Sequence, residues 1–258
     1  FLPRRECLEP AETVICEINE HLPWCCGDDF KVHISEIDYI IENSRPIFEL
    51  PEIPITDTEN MMARFIVDMI PDGATIQLGF GGLGNAIGHM LYGKKDLGMH
   101  SEVVTPSVTE LLKAGVLTGA RKNFMPGKII SAFAVGTKQF YEDLDHNPAF
   151  EFKEVHWVNQ PSNIAMNDGM ISINTTLMMD LTGQAASESI GIKQYSGTGG
   201  QVNFNHGAKM AKNGKRILAV ASTYTDKEGN LKSKILPTLP EGSVVTTGRN
   251  EVNFVCTE

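Results

Sequence analysis

The sequence predicts an α/β protein in which helices flank an open, mostly parallel sheet. Short apolar runs typical of strands alternate with amphipathic helical segments, and Gly and Pro residues mark the turns between them. The chain has 258 residues, 41% of them hydrophobic, so it is long enough to bury a core on both faces of a sheet. Alternation of this kind favours parallel strands because each helix returns the chain to the same edge of the sheet.

The alternation begins with a helix after residue 56. Thr56 and Glu59 have the spacing of a capping box, and apolar residues recur at helical intervals until Pro71 ends the segment. A Pro-Asp-Gly turn and a strand over 74–78 follow, and a glycine-rich loop then leads into a helix over 85–92. The sequence therefore predicts a strand, loop and helix unit.

The same alternation continues, and the chain then becomes rich in strands. We expect helices over 106–115 and 137–144 and strands over 97–104, 128–135 and 152–158. Beyond residue 171 the expected strands lie at 171–174, 216–222 and 243–247, with a hairpin turn at 226–230 and a strand-like run at 252–257. The last third is thus predicted to consist mainly of strands and loops.

Three prolines divide the chain. Pro46, Pro51 and Pro54 fall within a short stretch, a spacing that excludes a helix and indicates an extended linker. We expect residues 1–57 to be the end of a preceding α/β domain, with short strands over 13–18 and 31–35, plus this linker. Residues 58–258 are predicted to form a second domain that is incomplete at its end. On this interpretation the chain is a fragment of a longer protein.

Charge and composition exclude several classes of protein. Lys and Arg total 22 against 32 Asp and Glu, a formal charge of −10 that argues against broad nucleic-acid binding. No apolar run reaches the roughly 20 residues that cross a bilayer. The five cysteines show no CxxC spacing and the seven histidines form no i, i+4 pair, so we expect reduced thiols, a cytoplasmic protein and no metal site.

Residues 79–84, GFGGLG, are the first candidate site. They match G-x-G-x-x-G between a predicted strand and helix, and the backbone N–H groups of such a loop can approach a pyrophosphate or a developing oxyanion. Glu102 lies at the offset where dinucleotide-binding folds carry a ribose ligand. The pattern alone leaves three interpretations open: an NAD-dependent oxidoreductase, a protein that binds another anionic ligand, and a purely structural turn.

Other polar segments could carry chemistry, and each also has a structural interpretation. Glu102, in HSEVV, is a solvated carboxylate, a ribose ligand or a nucleophile. The glycines of SGTGGQ at 196–201 suit a loop whose amides face a ligand, or a flexible turn. Asn159 lies in a polar loop that a simple Asx turn would explain. His100 is the histidine closest to a candidate site, and a lone histidine is more often structural or solvated.

Taken in order, five segments resemble the motifs of the acetyl-CoA hydrolase/transferase family: QLGFGG at 77–82, HSEVV at 100–104, VNQP at 158–161, DLTGQ at 180–184 and SGTGGQVNF at 196–204. The likeness extends to AETVICEINE and HISEIDYI in the first 40 residues. The resemblance implies two open α/β halves of CoA-transferase type, with the acyl-CoA site mainly in the C-terminal half. It also implies a homo-oligomeric enzyme that moves CoA between a short-chain acyl-CoA, such as 4-hydroxybutyryl-CoA or butyryl-CoA, and a carboxylate such as acetate.

The resemblance also implies roles for single residues. Glu102 matches the family's catalytic glutamate, Asn159 its loop asparagine and Gly200 the last glycine of its GxGG loop. CoA is expected as a substrate rather than a permanently bound cofactor, with Gly79, Gly81, Gly82, Gly199, Gly200 and Gln201 as its binding residues. Lys193 is a candidate for an added cation. One departure is Gly84, where many relatives carry Pro.

Glutamate chemistry suits this transfer. Attack of a carboxylate on a thioester gives an acyl-glutamyl anhydride, which the CoA thiolate converts to a glutamyl-CoA thioester. Amides of Gly200 and of the 79–82 loop are expected to stabilise the oxyanions, and Asn159 to orient the carboxylate or the thioester carbonyl. The alternatives are an acyl-CoA hydrolase that uses the same glutamate, the NAD-dependent oxidoreductase, and a binding or structural module without catalysis.

Overall fold

Strands and helices alternate along the chain. The structure, a computed structural model, describes residues 7–27, 31–51 and 53–258. The strands are β1 (Ile15–Ile18), β2 (Tyr39–Glu42), β3 (Thr75–Leu78), β4 (Gly98–Val104), β5 (Ile129–Ala134), β6 (Phe150–Phe152), β7 (Met170–Thr175), β8 (Met178–Asp180), β9 (Ala185–Ala186), β10 (Ser189–Ile190), β11 (Lys193–Gln194), β12 (Lys215–Ala219), β13 (Thr223–Thr225), β14 (Leu231–Ser233), β15 (Ile235–Leu236) and β16 (Phe254–Cys256). The helices are α1 (Asp57–Asp68), α2 (Gly82–Met90), α3 (Pro106–Lys113), α4 (Lys138–Leu144), α5 (Val155–Val158), α6 (Pro161–Ala165) and α7 (Gln201–Met210). Short 3-10 helices lie at Ile34–Glu36, Leu91–Gly93 and Arg249–Glu251.

Seven of these strands pair in parallel in the order β16-β12-β7-β3-β4-β5-β6. The chain adds β4, β5 and β6 on one side of β3, and β7, β12 and β16 on the other, so the direction of winding reverses between β3 and β7. Ligands of open α/β sheets bind at such reversals, beyond the carboxyl ends of the strands. The prediction of an open, mostly parallel sheet flanked by helices is confirmed.

A layer of helices covers each face of the sheet. Helices α1 to α4 pack on one face, where Ile66, Ile87 and Phe140 belong to the larger apolar core. Helices α5 to α7 pack on the other, where Val158 and Phe204 belong to a smaller core. The second face is the one on which the predicted catalytic residues meet.

The capping box predicted for α1 is present. The Thr56 hydroxyl accepts a hydrogen bond from the Glu59 N–H at 3.2 Å, and the Glu59 carboxylate accepts from the Thr56 N–H at 2.8 Å. Met62, Ala63, Ile66 and Val67 are buried at helical spacing. These bonds satisfy N–H groups that the first turn of a helix leaves unpaired, so the start of α1 is encoded locally.

The strand predicted over 31–35 is wrong. Residues Ile34–Glu36 form a 3-10 helix whose start is capped by His33, with Glu36 completing a capping box. The strand that pairs with β1 is β2, and the two run parallel. The local hydrogen bonds of His33 outweigh the strand preference of the neighbouring residues.

The strand predicted over 152–158 is also wrong. β6 ends at Phe152, and the next residues form the short helix α5, in which the Glu154 carbonyl accepts from the N–H groups of Trp157 and Val158 at 3.0 Å each. Asn159 therefore follows a helical turn and not a strand. Pro161 then opens α6 at its first position, where a missing N–H costs no helical hydrogen bond.

The strand-rich prediction for the last third is correct in part. The hairpin around 226–230 is present as β13 and β14, but residues Gln201–Met210 form α7, with Phe204 and Ala208 buried one turn apart. Residues 243–247 form no strand, and Thr247 makes only an isolated bridge to Ala185. The helix α7 begins directly after the glycines of SGTGGQ and was not among the predicted elements.

Segments before residue 57 contact the main sheet. The Phe152 N–H, in edge strand β6, donates to the Cys26 carbonyl at 2.9 Å, and the Leu50 N–H donates to the Gly136 carbonyl at 2.9 Å. The domain boundary near residue 57 stays a prediction. No helix in the described ranges is long and apolar enough to cross a bilayer.

Candidate active site

The three predicted catalytic residues meet on one face of the sheet. Glu102 lies in β4, and its Oε2 accepts a hydrogen bond from Nδ2 of Asn159 at 3.0 Å. Gly200 is buried at the start of α7, and a Cβ added to it would overlap Oε2 of Glu102. Residues far apart in the sequence thus surround one carboxylate.

Space explains the glycine at position 200. Its φ of −89° is open to any residue, so no unusual backbone conformation requires glycine there. The Glu102 carboxylate lies where the first Cβ would be. The carboxylate is also close to the N-terminal end of α7, where unpaired N–H groups and the helix dipole favour negative charge.

The glycine loop begins beside the same carboxylate. β3 and β4 pair with Thr75 opposite Gly98, and continuing this register by four residues places Gly79 level with Glu102. The register of β3 with β7 places Asn174 level with Gly79 on the other side. Gly79 thus lies between the backbones that carry Glu102 and Asn174, which are two strand spacings or roughly 10 Å apart, and it places no side chain between them.

The rest of the loop is constrained by backbone conformation at Gly81 and by a close contact at Gly82. Gly81 has a φ of +127°, a conformation that requires glycine. The Glu59 carboxylate lies against Gly82 at the start of α2, in the space that a Cβ there would take. Dinucleotide-binding folds place a pyrophosphate at this helix end, and a carboxylate already there opposes that ligand. A pyrophosphate at this helix end is therefore disfavoured by charge, whether it belongs to NAD or to CoA.

A crevice of about 430 Å³ lies at the reversal point. The ends of β7 and β12, the start of α1 and the glycine loop line it. Phe80, at the tip of the loop, is about half exposed and forms part of its wall. Lys234 contributes a cation. Glu102, Asn159 and Gly200 do not line this crevice.

Other predicted contact residues have different surroundings. Gln201 is buried and its Nε2 donates to the Thr247 hydroxyl at 2.8 Å, so a contact with CoA is left to its backbone. Gly199, with a φ of +61°, is exposed beside Gly200. Lys193 is exposed, with its ammonium 4.8 Å from the ring centre of Tyr195. The contact described for the Lys193 ammonium is therefore with Tyr195 and not with Glu102.

The DLTGQ segment forms a turn rather than a binding loop. The Asp180 carboxylate accepts hydrogen bonds from the backbone and side chains of Thr182 and Gln184. Burial raises the pKa of Asp180, but these hydrogen bonds outweigh it and lower the pKa to about 2. The motif therefore stabilises the connection from β8 to β9.

His100 is a functional candidate that sequence reasoning set aside. It is fully buried two residues before Glu102, and its Nε2 lies 2.8 Å from the Val158 carbonyl. Burial lowers the pKa of His100 to about 3, and the nearby charge of Lys122 acts in the same direction. The hydrogen bond to Val158 acts in the opposite direction and raises the pKa. The ring is neutral at physiological pH. The available signal was the i, i+2 spacing to Glu102, which places both side chains on one face of a strand.

A buried polar cluster was also missed. Oε1 of Gln77 accepts from the Ser172 hydroxyl at 3.1 Å and from Nδ2 of Asn174 at 3.2 Å, and the same hydroxyl lies 3.0 Å from Oδ1 of Asn205. The cluster joins β3, β7 and α7 beneath Gly79. Among the described residues, no three His, Cys, Asp or Glu side chains are grouped so that they could hold a metal ion.

Comparison with known proteins agrees with the motifs. Residues 136–258 match the acetyl-CoA hydrolase/transferase C-terminal domain. The chain is 46% identical to a 4-hydroxybutyrate coenzyme A transferase of Clostridium kluyveri and 44% identical to a butyryl-CoA:acetate CoA-transferase of Anaerostipes caccae, in each case over 97% of this chain and 57% of the relative.

Solved structures give the same result. RipA from Yersinia pestis matches with a TM-score of 0.88 and 38% identity, over 96% of this chain and 56% of that one. A 4-hydroxybutyrate CoA-transferase from Porphyromonas gingivalis matches with a TM-score of 0.83 and 37% identity, over 98% and 59%. The chain thus spans just over half the length of these relatives. The resemblance predicted from the loops is confirmed, since residues 136–258 match the acetyl-CoA hydrolase/transferase C-terminal domain.

Proposed function

We propose that the full-length protein is a CoA-transferase that moves CoA between a short-chain acyl-CoA and a carboxylate through a glutamyl-CoA thioester on Glu102. The observation that carries the proposal is the Glu102 carboxylate held by Asn159 beneath the start of α7. The names of the two bacterial relatives support it and suggest 4-hydroxybutyryl-CoA or butyryl-CoA as donor and acetate as acceptor.

The first half-reaction begins at the carboxylate. Asn159 holds Oε2, which directs Oε1 to the thioester carbonyl carbon. A C–O bond forms, the C–S bond breaks, and the electron pair leaves with the CoA thiolate, so the product is an acyl-glutamyl anhydride. The thiolate then attacks the glutamyl carbonyl and expels the donor's carboxylate, which leaves CoA as a thioester on Glu102.

The hydrogen bond from Asn159 acquires a second role in that step. Oε2 is the carbonyl oxygen of the anhydride, and it becomes the oxyanion when the thiolate attacks. The Asn159 amide already lies 3.0 Å from this atom. The N-terminal turn of α7 lies against the same oxygen. A donor aimed at a developing oxyanion contributes about 3–4 kcal/mol of transition-state stabilisation.

The second half-reaction reverses the first. An acceptor carboxylate attacks the glutamyl thioester, the thiolate leaves, and its return to the acyl carbonyl frees Glu102. Both intermediates retain the activated bond, so water must be excluded from them. We infer that the part of the relatives' length that this chain does not span completes this closure, because Glu102 is only partly buried in the described chain.

The residues before 57 also leave apolar side chains exposed. β1 and β2 form a separate two-stranded sheet on which Ile15, Tyr39 and Ile41 are exposed. A preceding domain that continues this sheet would cover them, in agreement with the share of the relatives that the chain spans. A homo-oligomer in the cytoplasm remains part of the proposal.

Mass spectrometry of the full-length protein tests the mechanism. Incubation with butyryl-CoA is expected to add the mass of CoA, less water, to the peptide that contains Glu102. Borohydride is expected to reduce that thioester to an alcohol. The variant Glu102→Gln should acquire neither modification. Unmodified Glu102 in protein that turns over would refute the proposal.

A hydrolase is the nearest alternative, because the family description covers both activities. It uses the same glutamate but passes the intermediate to water. Release of free CoA with and without acetate separates the two reactions. We expect butyryl-CoA to be consumed, with formation of acetyl-CoA, only when acetate is added, and CoA release that ignores acetate would support the hydrolase.

A further inference from the structure

His100 contacts the elements that supply the other two site residues. Its Nε2 lies 2.8 Å from the Val158 carbonyl, directly before Asn159. Its ring stacks on Trp157 with centroids 6.1 Å apart and planes within 2°. The edge of the ring meets Phe204, also at 6.1 Å. Phe204 lies one turn into α7, and its N–H donates to the Gly200 carbonyl at 2.9 Å.

The hydrogen bonds define one tautomer of the ring. A carbonyl only accepts, so Nε2 carries the proton that it donates to Val158. Nδ1 is then an acceptor, and Nδ2 of Asn167 lies 3.1 Å from it. The Asn167 amide is oriented by a second donation, to the Ile164 carbonyl at 3.1 Å. The ring is therefore a fixed donor toward the loop that carries Asn159.

Asn159 depends on such outside support. The helix before it, α5, has only four residues, and α6 after it has five. Helices of this length have too few internal hydrogen bonds to hold their own conformation in water. The Val158 carbonyl, at the end of α5, is where β4 contacts this segment through His100.

We propose that His100 is a positioning residue for the transfer reaction. By donating to the Val158 carbonyl and packing on Trp157 and Phe204, it holds the Asn159 amide and the start of α7 at their working distances from Glu102. One strand thus carries both the nucleophile and the side chain that places the nucleophile's partners. The effect of His100 on catalysis rests on the proposed function. Its effect on the positions of Asn159 and α7 relative to Glu102 does not.

A pair of variants in the full-length protein tests the proposal. His100→Leu removes the donor while keeping an apolar side chain, whereas His100→Gln can present an amide N–H near the position of Nε2. We expect His100→Leu to lower kcat by about 10- to 100-fold and to leave the KM for butyryl-CoA within about twofold, since a displacement near 1 Å has effects of this size. His100→Gln is expected to recover most of the loss.

A matched control separates positioning from general destabilisation. Met99 is equally buried on the opposite face of the same strand. Met99→Ala is expected to lower the melting temperature and leave kcat unchanged. Equal kcat values for His100→Leu and the wild type, or an equal loss in His100→Leu and His100→Gln, would overturn the proposal.

Crystal structures of the variants give a readout that needs no activity. In His100→Leu, the distance from Nδ2 of Asn159 to Oε2 of Glu102 is expected to exceed hydrogen-bonding range, and in His100→Gln to stay near its value of 3.0 Å. An unchanged distance in His100→Leu would refute the positioning role. If His100→Leu fails to fold, His100→Phe, which lacks the donor to Val158 but keeps a ring beside Trp157, replaces it under the same criteria. A wild-type protein without a CoA adduct would instead refute the proposed function alone.

Discussion

The Glu102 carboxylate fills the space in which a side chain on Gly200 would lie. We therefore expect Gly200→Ala to displace the carboxylate or the start of α7 and to lower kcat for CoA transfer by about 100-fold. Gly197→Ala is the matched control, because a Cβ there has no atom within 4 Å. Steady-state kinetics of both variants check this. A Gly200→Ala enzyme as fast as the control would contradict the overlap.

Asn159 donates to the oxygen that becomes an oxyanion in the proposed mechanism. Asn159→Ala is expected to lower kcat by about 10²- to 10³-fold, the usual effect of losing one such donor. The control is Asn147→Ala, which also removes a side-chain amide. Nδ2 of Asn147 donates to the backbone carbonyl of Asp143 at 2.9 Å, away from the site. Single-turnover formation of the Glu102 adduct is the measurement. Equal rates for both variants would show that the amide is dispensable.

Gly84 packs against the Gly79 carbonyl so closely that a Cβ would overlap its oxygen. Gly84→Ala is expected to destabilise the protein by about 1–3 kcal/mol, as overpacking does, and to raise the KM for acyl-CoA by shifting the loop beside Glu102. Gly93→Ala, where a Cβ has no atom within 4 Å, is the control. Urea unfolding and KM are measured together. Normal stability and KM in Gly84→Ala would mean that the loop adapts to a side chain at this position.

The buried imidazole of His100 predicts a loss of stability in acid. Burial lowers its pKa to about 3 in the folded protein, whereas an unfolded histidine titrates near 6.5. Between these values the unfolded state binds a proton that the folded state does not, so the free energy of unfolding falls as pH decreases below about 6.5, by up to about 1.4 kcal/mol per pH unit. Above pH 6.5 the contribution is constant.

Urea unfolding of the wild type and His100→Gln at pH 5, 6 and 7 measures this effect. The variant has no titrating group at this position. As pH falls, the wild type is therefore expected to lose more stability than the variant. Parallel pH profiles would show that the imidazole is protonated in the folded protein as readily as in the unfolded one.

Local signals made much of the fold predictable from the sequence. The capping box of Thr56 and Glu59 and the apolar spacing after it lie within one helix, and α1 formed where both predicted it. The glycine loop was found for the same reason, since its residues are contiguous. The order of several different motifs along the chain, rather than any one motif, identified Glu102, Asn159 and Gly200.

Features that depend on distant contacts were not predictable in this way. The segment after Phe152 has the composition of a strand, but it forms a helical turn that contacts His100, 58 residues earlier, through the Val158 carbonyl. The need for glycine at 200 comes from a carboxylate 98 positions away, and nothing in SGTGGQ reports it. A single histidine carries no pattern, so the role of His100 emerged only from its neighbours.

The buried ammonium of Lys122 predicts a second pH dependence of stability, above neutral pH. Its Nζ donates to the carbonyls of Met99 at 3.1 Å and Lys128 at 2.8 Å, and burial lowers its pKa to about 7. An unfolded lysine titrates near 10.4. Between these values the unfolded state binds a proton that the folded state has released, so the free energy of unfolding rises with pH, by up to about 1.4 kcal/mol per unit.

We therefore expect the stability of the wild type relative to Lys122→Met to increase from pH 7 to pH 9 in urea unfolding. Lys212→Met is the control, because Lys212 is exposed and its pairing with Asp168, at 3.8 Å, lies at the surface, where ion pairs contribute little. Its profile should run parallel to that of the wild type. A Lys122→Met profile that is also parallel would mean that the ammonium stays charged in the fold, held by its two carbonyl partners against the effect of burial.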